Sequence, residues 1–321
     1  MTSRIVEEQG STITPSAHHG AGRSNDSRRR LRLRRSIGGL AGTVPALAWY
    51  LLFLLGPLIG LFWMSFYDQP GILADSKFVG INNFSHVLGD PAFRMALINT
   101  GLQVTFLVPV LMISSLLLAY YLHRKPRGYG VLSVVLFLPA LLSLAGRSMA
   151  FVAILAPKPF GLLNGVLEAL NLGFLERAWL ADSRTALLSI IAVELWGGIG
   201  FTAILLNARM ATIPFEVEES ATLDGIGQLG MLRQIIYPML RDYFGVVAAL
   251  QLIWTLFTSA GDVLLLTGGG PGYASTNLAY LVYNKAFLQQ DLGYATTVGV
   301  LLFVAGLVGA LTLRAAFRPR Y

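Results

Sequence analysis

The sequence predicts an all-α integral membrane protein with six transmembrane helices, and three observations lead there. Of its 321 residues, 55% are hydrophobic and only 13% charged. Ordinary soluble domains carry roughly 25% charged residues, so the polar coat is too thin for a water-soluble globule of this size. Six apolar stretches also reach the roughly 20 residues that a bilayer core requires of a helix, since no water is present there to satisfy the backbone. Finally, alternating those stretches across a bilayer places 17 Lys and Arg on one face and six on the other, with Arg147 alone inside a span. The cation-rich face is expected to be cytoplasmic, with both termini on it.

Residues 1–36 are rich in Ser, Gly and Arg, contain the run Arg28-Arg29-Arg30-Leu31-Arg32-Leu33-Arg34-Arg35, and lack apolar periodicity. They are expected to form a disordered basic cytoplasmic arm. The apolar stretch that follows is too long for the 7–15-residue core of a secretory signal. It is therefore the first span of a domain over 37–321. The spans are expected near 42–66, 96–122, 129–156, 184–208, 243–266 and 292–316, with kinks at Pro45, Pro57, Pro109 and Pro139. Between the third and fourth, Leu162, Leu163, Val166, Leu167 and Leu170 share a helical face while Asn164, Glu168 and Asn171 lie elsewhere. This segment is too short to span and is expected to lie along the outer interface.

The formal charge of +7 follows this topology and gives no support to a nucleic-acid partner; the partner it implies is the lipid bilayer. Cysteine is absent, which excludes disulfides, thiolate metal sites and a cysteine nucleophile. His18 and His19 lie in the arm, and His86 and His123 stand alone, so no metal site is expected. No hydrolase elbow or paired catalytic carboxylates occur within a span, so the chain does not read as an enzyme.

The 209–242 loop is far longer than the 2–8 residues that usually join helices. Pro214 suits the first turn of a helix, and Glu216, Glu218 and Glu219 suit its positive N-terminal end. Asp224-Gly225 then interrupts it, and a second short helix is expected to run to Pro238. The pattern Glu219-Ser220-Ala221, two residues, Asp224-Gly225, nine residues, Ile235, two residues, Pro238 resembles the Glu-Ala-Ala loop of permease subunits in bacterial ATP-binding-cassette importers. Ser220 stands where that family usually has Ala, and Ile226 where it usually has a small residue. Phe78-Val79-Gly80-Ile81-Asn82-Asn83-Phe84, Asn99-Thr100, Gly161-Leu162-Leu163-Asn164, Trp179-Leu180 and Leu266-Thr267-Gly268-Gly269-Gly270-Pro271-Gly272 extend the similarity to maltose-type sugar permeases across about 42–318. The mycobacterial trehalose-importer permeases are the nearest resemblance.

The resemblance implies a type I ABC importer permease fold, a second homologous permease subunit, two ATP-binding-cassette subunits and an extracellular sugar-binding protein. It implies that Glu218, Glu219, Ser220, Ala221, Asp224, Gly225 and Pro238 couple to the ATPase, and that Gly268, Gly269, Gly270 and Pro271 face the binding protein. The chain contains no Gly-Lys pair and hence no phosphate-binding loop of the Gly-Lys type. No cofactor is expected in it, and ATP and Mg belong on the partner ATPase. Intramembrane ionisable groups are functional candidates by default, and sugars need hydroxyl partners and aromatic faces. On that ground Glu194, Trp196, Gly198, Gln251, Trp254, Thr258, Ser259 and Asp262 are the substrate-path candidates. The stretches about Glu194-Trp196-Gly198 and Thr258-Ser259 also correspond to cavity-lining positions in the family, which more often carries amides there. Interhelical bonding is the competing role for each. Arg147 pairs with Glu194 or Asp262, or faces an outer aqueous cavity. The competing functions are a secondary transporter or channel, and an ABC permease for a non-sugar solute.

Overall fold

A computed structural model of the chain describes residues 43–71 and 75–318. The basic arm, residues 1–36, lies outside the described residues. Two compact units divide at Ile59 and Gly60. Helix α1, Thr43–Met64, crosses that division. In its first part Trp49 lies against Phe53 with ring centroids 4.2 Å apart.

The second unit continues with a two-stranded hairpin, β1 Tyr67–Asp68 and β2 Lys77–Phe78, paired antiparallel. Its helices are α2 Asn82–Gly89, α3 Pro91–His123, α4 Tyr129–Leu141, α5 Leu144–Ile154, α6 Leu162–Ala169 and α7 Ala186–Met210. Then come α8 Phe215–Leu223, α9 Gln228–Thr258, α10 Ala260–Leu266, α11 Leu278–Tyr283 and α12 Leu292–Phe317. Among the described residues five helices, α1, α3, α7, α9 and α12, are long and apolar enough to cross a bilayer, and the bent pair α4–α5 reaches the same length and apolarity only when its two helices are taken together as one span.

The second span begins at Pro91 rather than near 96, because Asp90 caps the helix by accepting a hydrogen bond from the Ala92 amide at 2.8 Å and Pro91 fits its first turn. That helix runs through Pro109 without interruption. The third span departs from the expected single helix: α4 and α5 meet at 97°. Leu142 and Ser143 are extended there, and the Ser143 hydroxyl accepts from the Gly146 amide, capping α5. Pro139 removes one helical donor just ahead of the break, and the capped restart fixes the new direction.

The fifth span also differs. The helix expected to stop at Pro238 instead begins at Gln228 and continues through Pro238 to Thr258. Pro crowds the carbonyl four residues before it, and a π turn over Met231–Ile236 widens the helix just ahead of Pro238. The same device precedes Pro57, at Leu51–Leu55. At its far end the expected span divides at Ser259, with α10 as a separate helix.

Helix α3 lies along α7, α9 along α12, α4 on α7 and α5 on α10. Close approach requires small residues: a Cβ on Gly200 would overlap the Leu136 backbone carbonyl, so α4 and α7 meet backbone to backbone there. One apolar core gathers Leu206, Met210, Ile236 and Leu240 at one end of the bundle; another gathers Val87, Phe93, Leu278 and Val298 at the other. Leu102, Phe106, Ile113 and Leu117 of α3, with Val134 and Leu138 of α4, remain exposed, as suits helix faces that meet lipid.

Candidate functional site

Three features follow one another along the bundle: a projecting loop at the cation-rich end, a cavity at mid-depth and a glycine loop at the opposite end. The first is built by α8. Pro214 sits one residue ahead of the helix as its cap, and Glu216 and Glu218 lie in the first turn. At the other end Gly225 takes φ +79°. The Ile226 amide donates to the Ala221 carbonyl and the Gly225 amide to the Thr222 carbonyl, both at 3.0 Å. These paired bonds close the helix, and the left-handed residue between them is the position where glycine is favoured. Ala221 is buried and Ile226 packs on the same core, which anchors the turn from below.

Glu219, Ser220, Asp224 and Gly225 are exposed on this element, as is Pro238 beyond it. Ala221 and Glu218 face inward: Ala221 into the core, Glu218 onto His123, whose Nε2 is 2.7 Å from its Oε1. That contact ties α8 to the C-terminal end of α3 across a cleft of about 910 Å³. Sequence reasoning overlooked the tip's apolar side chains: Leu223 is 84% exposed, Leu229 76% and Phe215 73%. The sequence did not separate them from the apolar residues of the same loop that are buried, Met231, Leu232 and Ile236.

The cavity at mid-depth has a volume of about 280 Å³. Its wall contains Ala140 and Arg147 from either side of the α4–α5 break, with Glu194 and Gly198 of α7, Gln251, Trp254 and Thr258 of α9, and Asp262 of α10. Six of the eight predicted path residues therefore converge. Two do not line it. Trp196 turns its ring edge onto Phe151, centroids 5.2 Å apart, and Ser259 is buried against Asn277, whose Nδ2 donates to its Oγ at 2.8 Å.

Arg147 pairs with Asp262, not Glu194: its Nη2 donates to the two carboxylate oxygens at 2.7 and 2.8 Å. Glu194 is engaged by an amide that sequence reasoning missed. Gln103 Nε2 donates to both of its oxygens, at 2.9 and 2.7 Å, while Gln103 Oε1 accepts from Asn277 Nδ2 at 3.0 Å. Gln251 Nε2 donates to Thr202 Oγ1 at 3.0 Å. Glu194, Gln103, Asn277 and Ser259 thus form one polar chain through an apolar bundle. Asn99, Thr100 and Gln103 are polar residues inside an apolar run at helical spacing, the signal that marks such a chain.

At the opposite end Gly268 and Pro271 are exposed and Gly270 half-buried, but Gly269 is buried. The expectation that Gly269 faces outward is thereby corrected. It has φ +81°, and a Cβ there would lie 2.5 Å from Thr276 Oγ1 and from a Tyr280 ring carbon, so this glycine serves close packing. The loop is pinned from several sides: Tyr280 Oη donates to the Gly268 carbonyl, Thr276 Oγ1 to that of Gly269, and Ser275 Oγ to that of Gly270.

Other resemblance motifs are pins of the same kind. Asn99 Nδ2 donates to the carbonyls of Tyr273 and Thr276. Thr100 Oγ1 accepts from the Leu278 amide. Asn83 Nδ2 donates to the carbonyls of Ser65 and Tyr67. In the 160–172 segment Asn164 is a buried pin: it accepts from Trp179 Nε1 at 2.8 Å and donates to the Arg177 carbonyl at 2.9 Å. The segment's apolar residues divide, Leu163 packing inward while Leu162, Val166 and Leu170 stay exposed. Beside it Lys158 Nζ bridges Glu176 and Glu168 at 2.9 and 3.1 Å, and these hydrogen bonds hold its ammonium above the ordinary lysine value.

Residues 96–321 match the family described as binding-protein-dependent transport system inner membrane component. The multiple sugar-binding transport system permease protein MsmF of Streptococcus mutans is 31% identical over 78% of this chain and 85% of its own length. The diacetylchitobiose uptake system permease protein NgcF of Streptomyces coelicolor is 29% identical over 88% of this chain and 83% of its own. The trehalose/maltose transport system permease protein MalF of Thermococcus litoralis is 27% identical over 87% and 93%. In fold, the chain is similar to a subunit of a bacterial ABC transporter that imports the acidic polysaccharide alginate, with TM-score 0.77 and 23% identity over 91% of this chain and 98% of that one. The chain belongs to the family of binding-protein-dependent transport system inner membrane components.

Proposed function

We propose that this chain is one of two permease subunits of an ATP-driven importer, carrying a di- or oligosaccharide delivered by an extracellular binding protein. The observation that carries the reading is the Glu219–Gly225 element, exposed at the cation-rich end on a capped, core-anchored turn. A cavity of about 280 Å³ with an indole and hydroxyl and amide groups lies deeper in the bundle, as a sugar path needs.

In this reading ATP and Mg are bound by two separate cassette subunits, which engage the 213–238 loop and move the spans between inward-open and outward-open states. Both termini and residues 1–36 lie in the cytoplasm, and Gly268, Gly270 and Pro271 meet the binding protein. The finer reading of trehalose is supported by the resemblance to mycobacterial trehalose permeases and by a trehalose/maltose relative.

The test is ATP hydrolysis by the complex co-purified with this chain, measured with its binding protein and a panel of disaccharides. Stimulation by trehalose supports the full reading, and stimulation by another disaccharide the sugar class alone. If only a non-sugar solute stimulates, the importer reading stands without the sugar. If hydrolysis never responds, the coupling assignment fails.

A further inference from the structure

The cavity holds three ionisable side chains, Arg147, Asp262 and Glu194. Arg147 is the one cation among the described residues that line it. Both oxygens of Asp262 accept from its Nη2, within 2.8 Å. Gly197 makes the space for this arrangement, since a Cβ there would lie 2.5 Å from Arg147 Nη1. Glu194 has both oxygens on the Gln103 amide, so its partner is a neutral donor and no further cation is held there.

One cation and two acidic groups therefore face the same small space, and the cation is already committed. A neutral sugar entering it meets hydroxyl and amide partners at Thr258 and Gln251 and the indole of Trp254. A sugar carboxylate would shed water, meet two acidic groups and find no unpaired cation. Leaving a charge uncompensated at depth is strongly unfavourable.

Resting on the sugar reading above, we infer that this cavity selects uncharged sugars over acidic ones, and that the Arg147–Asp262 pair determines the specificity by neutralising the guanidinium charge that a substrate carboxylate would need. Arg147 alone would be a ready carboxylate receptor, because its planar fork matches a carboxylate edge. Asp262 sets both oxygens on one nitrogen of that fork, Nη2, and neutralises its charge, while Nε is buried without a hydrogen-bond partner. Glu194 adds a second acidic group on the neighbouring helix.

The test uses the whole complex in nanodiscs and saturation-transfer NMR, which detects weak binding. The probes are trehalose and trehalose with one C6 hydroxymethyl oxidised to carboxylate. Wild-type complex should give signal from trehalose and little from the carboxylate. Asp262→Asn frees the guanidinium and should shift the ratio toward the carboxylate by about tenfold or more, the scale of one charge-assisted hydrogen bond. Equal binding of both probes to wild type overturns the inference while leaving the sugar reading intact. So does an assembled Asp262→Asn complex that binds trehalose but shows no gain. If Asp262→Asn does not assemble, Glu194→Gln carries the same test: removing the second acidic group should raise carboxylate binding, and no change overturns the inference. Binding of neither probe by an intact wild-type complex overturns the sugar reading and this inference with it.

Discussion

Gly225 allows the coupling element to be tested by a graded perturbation whose cause is a single backbone angle. Nothing lies within 4 Å of a Cβ built at this residue, so substitution there meets no steric obstacle. What it meets is φ +79°. For an L-residue with an ordinary side chain the left-handed region costs roughly 1–2 kcal/mol, and Asn tolerates it better than most. Proline is worse than either, since its ring fixes φ near −65° and it removes the amide that donates to Thr222 at 3.0 Å. The lost bond adds about 0.5–1.5 kcal/mol. The fraction of loops in the capped form should therefore fall in the order Gly, Asn, Ala, Pro. Ala should lower the ratio of capped to open loop about 5–30-fold and Pro should abolish the capped form. Binding-protein-stimulated ATP hydrolysis by the purified complex reads this order, and amounts of membrane-inserted chain serve as the control. Equal stimulation for Gly225→Ala, Gly225→Pro and wild type would refute the argument. Gly225→Asn behaving as badly as Gly225→Pro would show that a partner approaches the bare Cα, so that space rather than φ explains the glycine.

Other consequences can be measured in parallel. Arg147→Ala leaves Asp262 buried without its cation and should cost about 3–5 kcal/mol, seen as a lowered melting temperature of the complex; the double variant Arg147→Leu/Asp262→Leu should recover much of that loss. Asn164→Ala removes the acceptor of the Trp179 indole and the donor to Arg177, costing about 2–3 kcal/mol locally, and should speed protease cleavage within 157–185. Because the Lys158 value is raised by Glu176 and Glu168, its bridge contributes fully below the ordinary lysine range and is lost only as pH rises through the raised value. Cleavage of the same segment should thus be flat from pH 7 to about 10, and Lys158→Gln should increase it throughout that range. Gly269→Ala combines a left-handed angle with contacts of 2.5 Å and should disturb the glycine loop more than Gly268→Ala, whose Cβ meets nothing within 4 Å; hydrogen exchange at Thr276 and Tyr280 distinguishes the two.

The crossings were legible because lipid-facing helices must be apolar along their length, so α7 and α12 fall within two residues of their expected bounds. Helix ends set by capping were less legible: Asp90 adds a turn to α3 that a hydropathy window starting at Ala96 does not register. The division of α4 from α5 was hidden because Leu142 and Ser143 are ordinary residues for a span, and the break depends on Ser143 capping a helix that packs on α10. Continuity through Pro238 was hidden for the opposite reason: the π turn before it depends on Leu232 and Ile236 being packed in the core, a tertiary effect that overrides a local breaker. At the cavity, residue types indicated candidates but not partners. Arg147 had two plausible acids, and only the placement of Gln103 beside Glu194 leaves Asp262 as its partner. Motifs read as family marks, Asn83, Asn99 and Asn164, proved to be pins whose acceptors are backbone carbonyls, a class of partner that side-chain patterns cannot reveal.

The central claim, that the 213–238 loop is where an ATPase engages this chain, can be tested directly because the sequence contains no cysteine. Leu223, 84% exposed at the tip, can be replaced by Cys, and Pro271 at the opposite end likewise, each in the otherwise unaltered complex. With a short bifunctional thiol–amine cross-linker, Leu223→Cys should join to an ATPase subunit, with a yield that changes when ATP is added, while Pro271→Cys should join only to the binding protein. Cross-linking of Pro271→Cys to the ATPase, or none from Leu223→Cys in a complex that still hydrolyses ATP, would contradict the account.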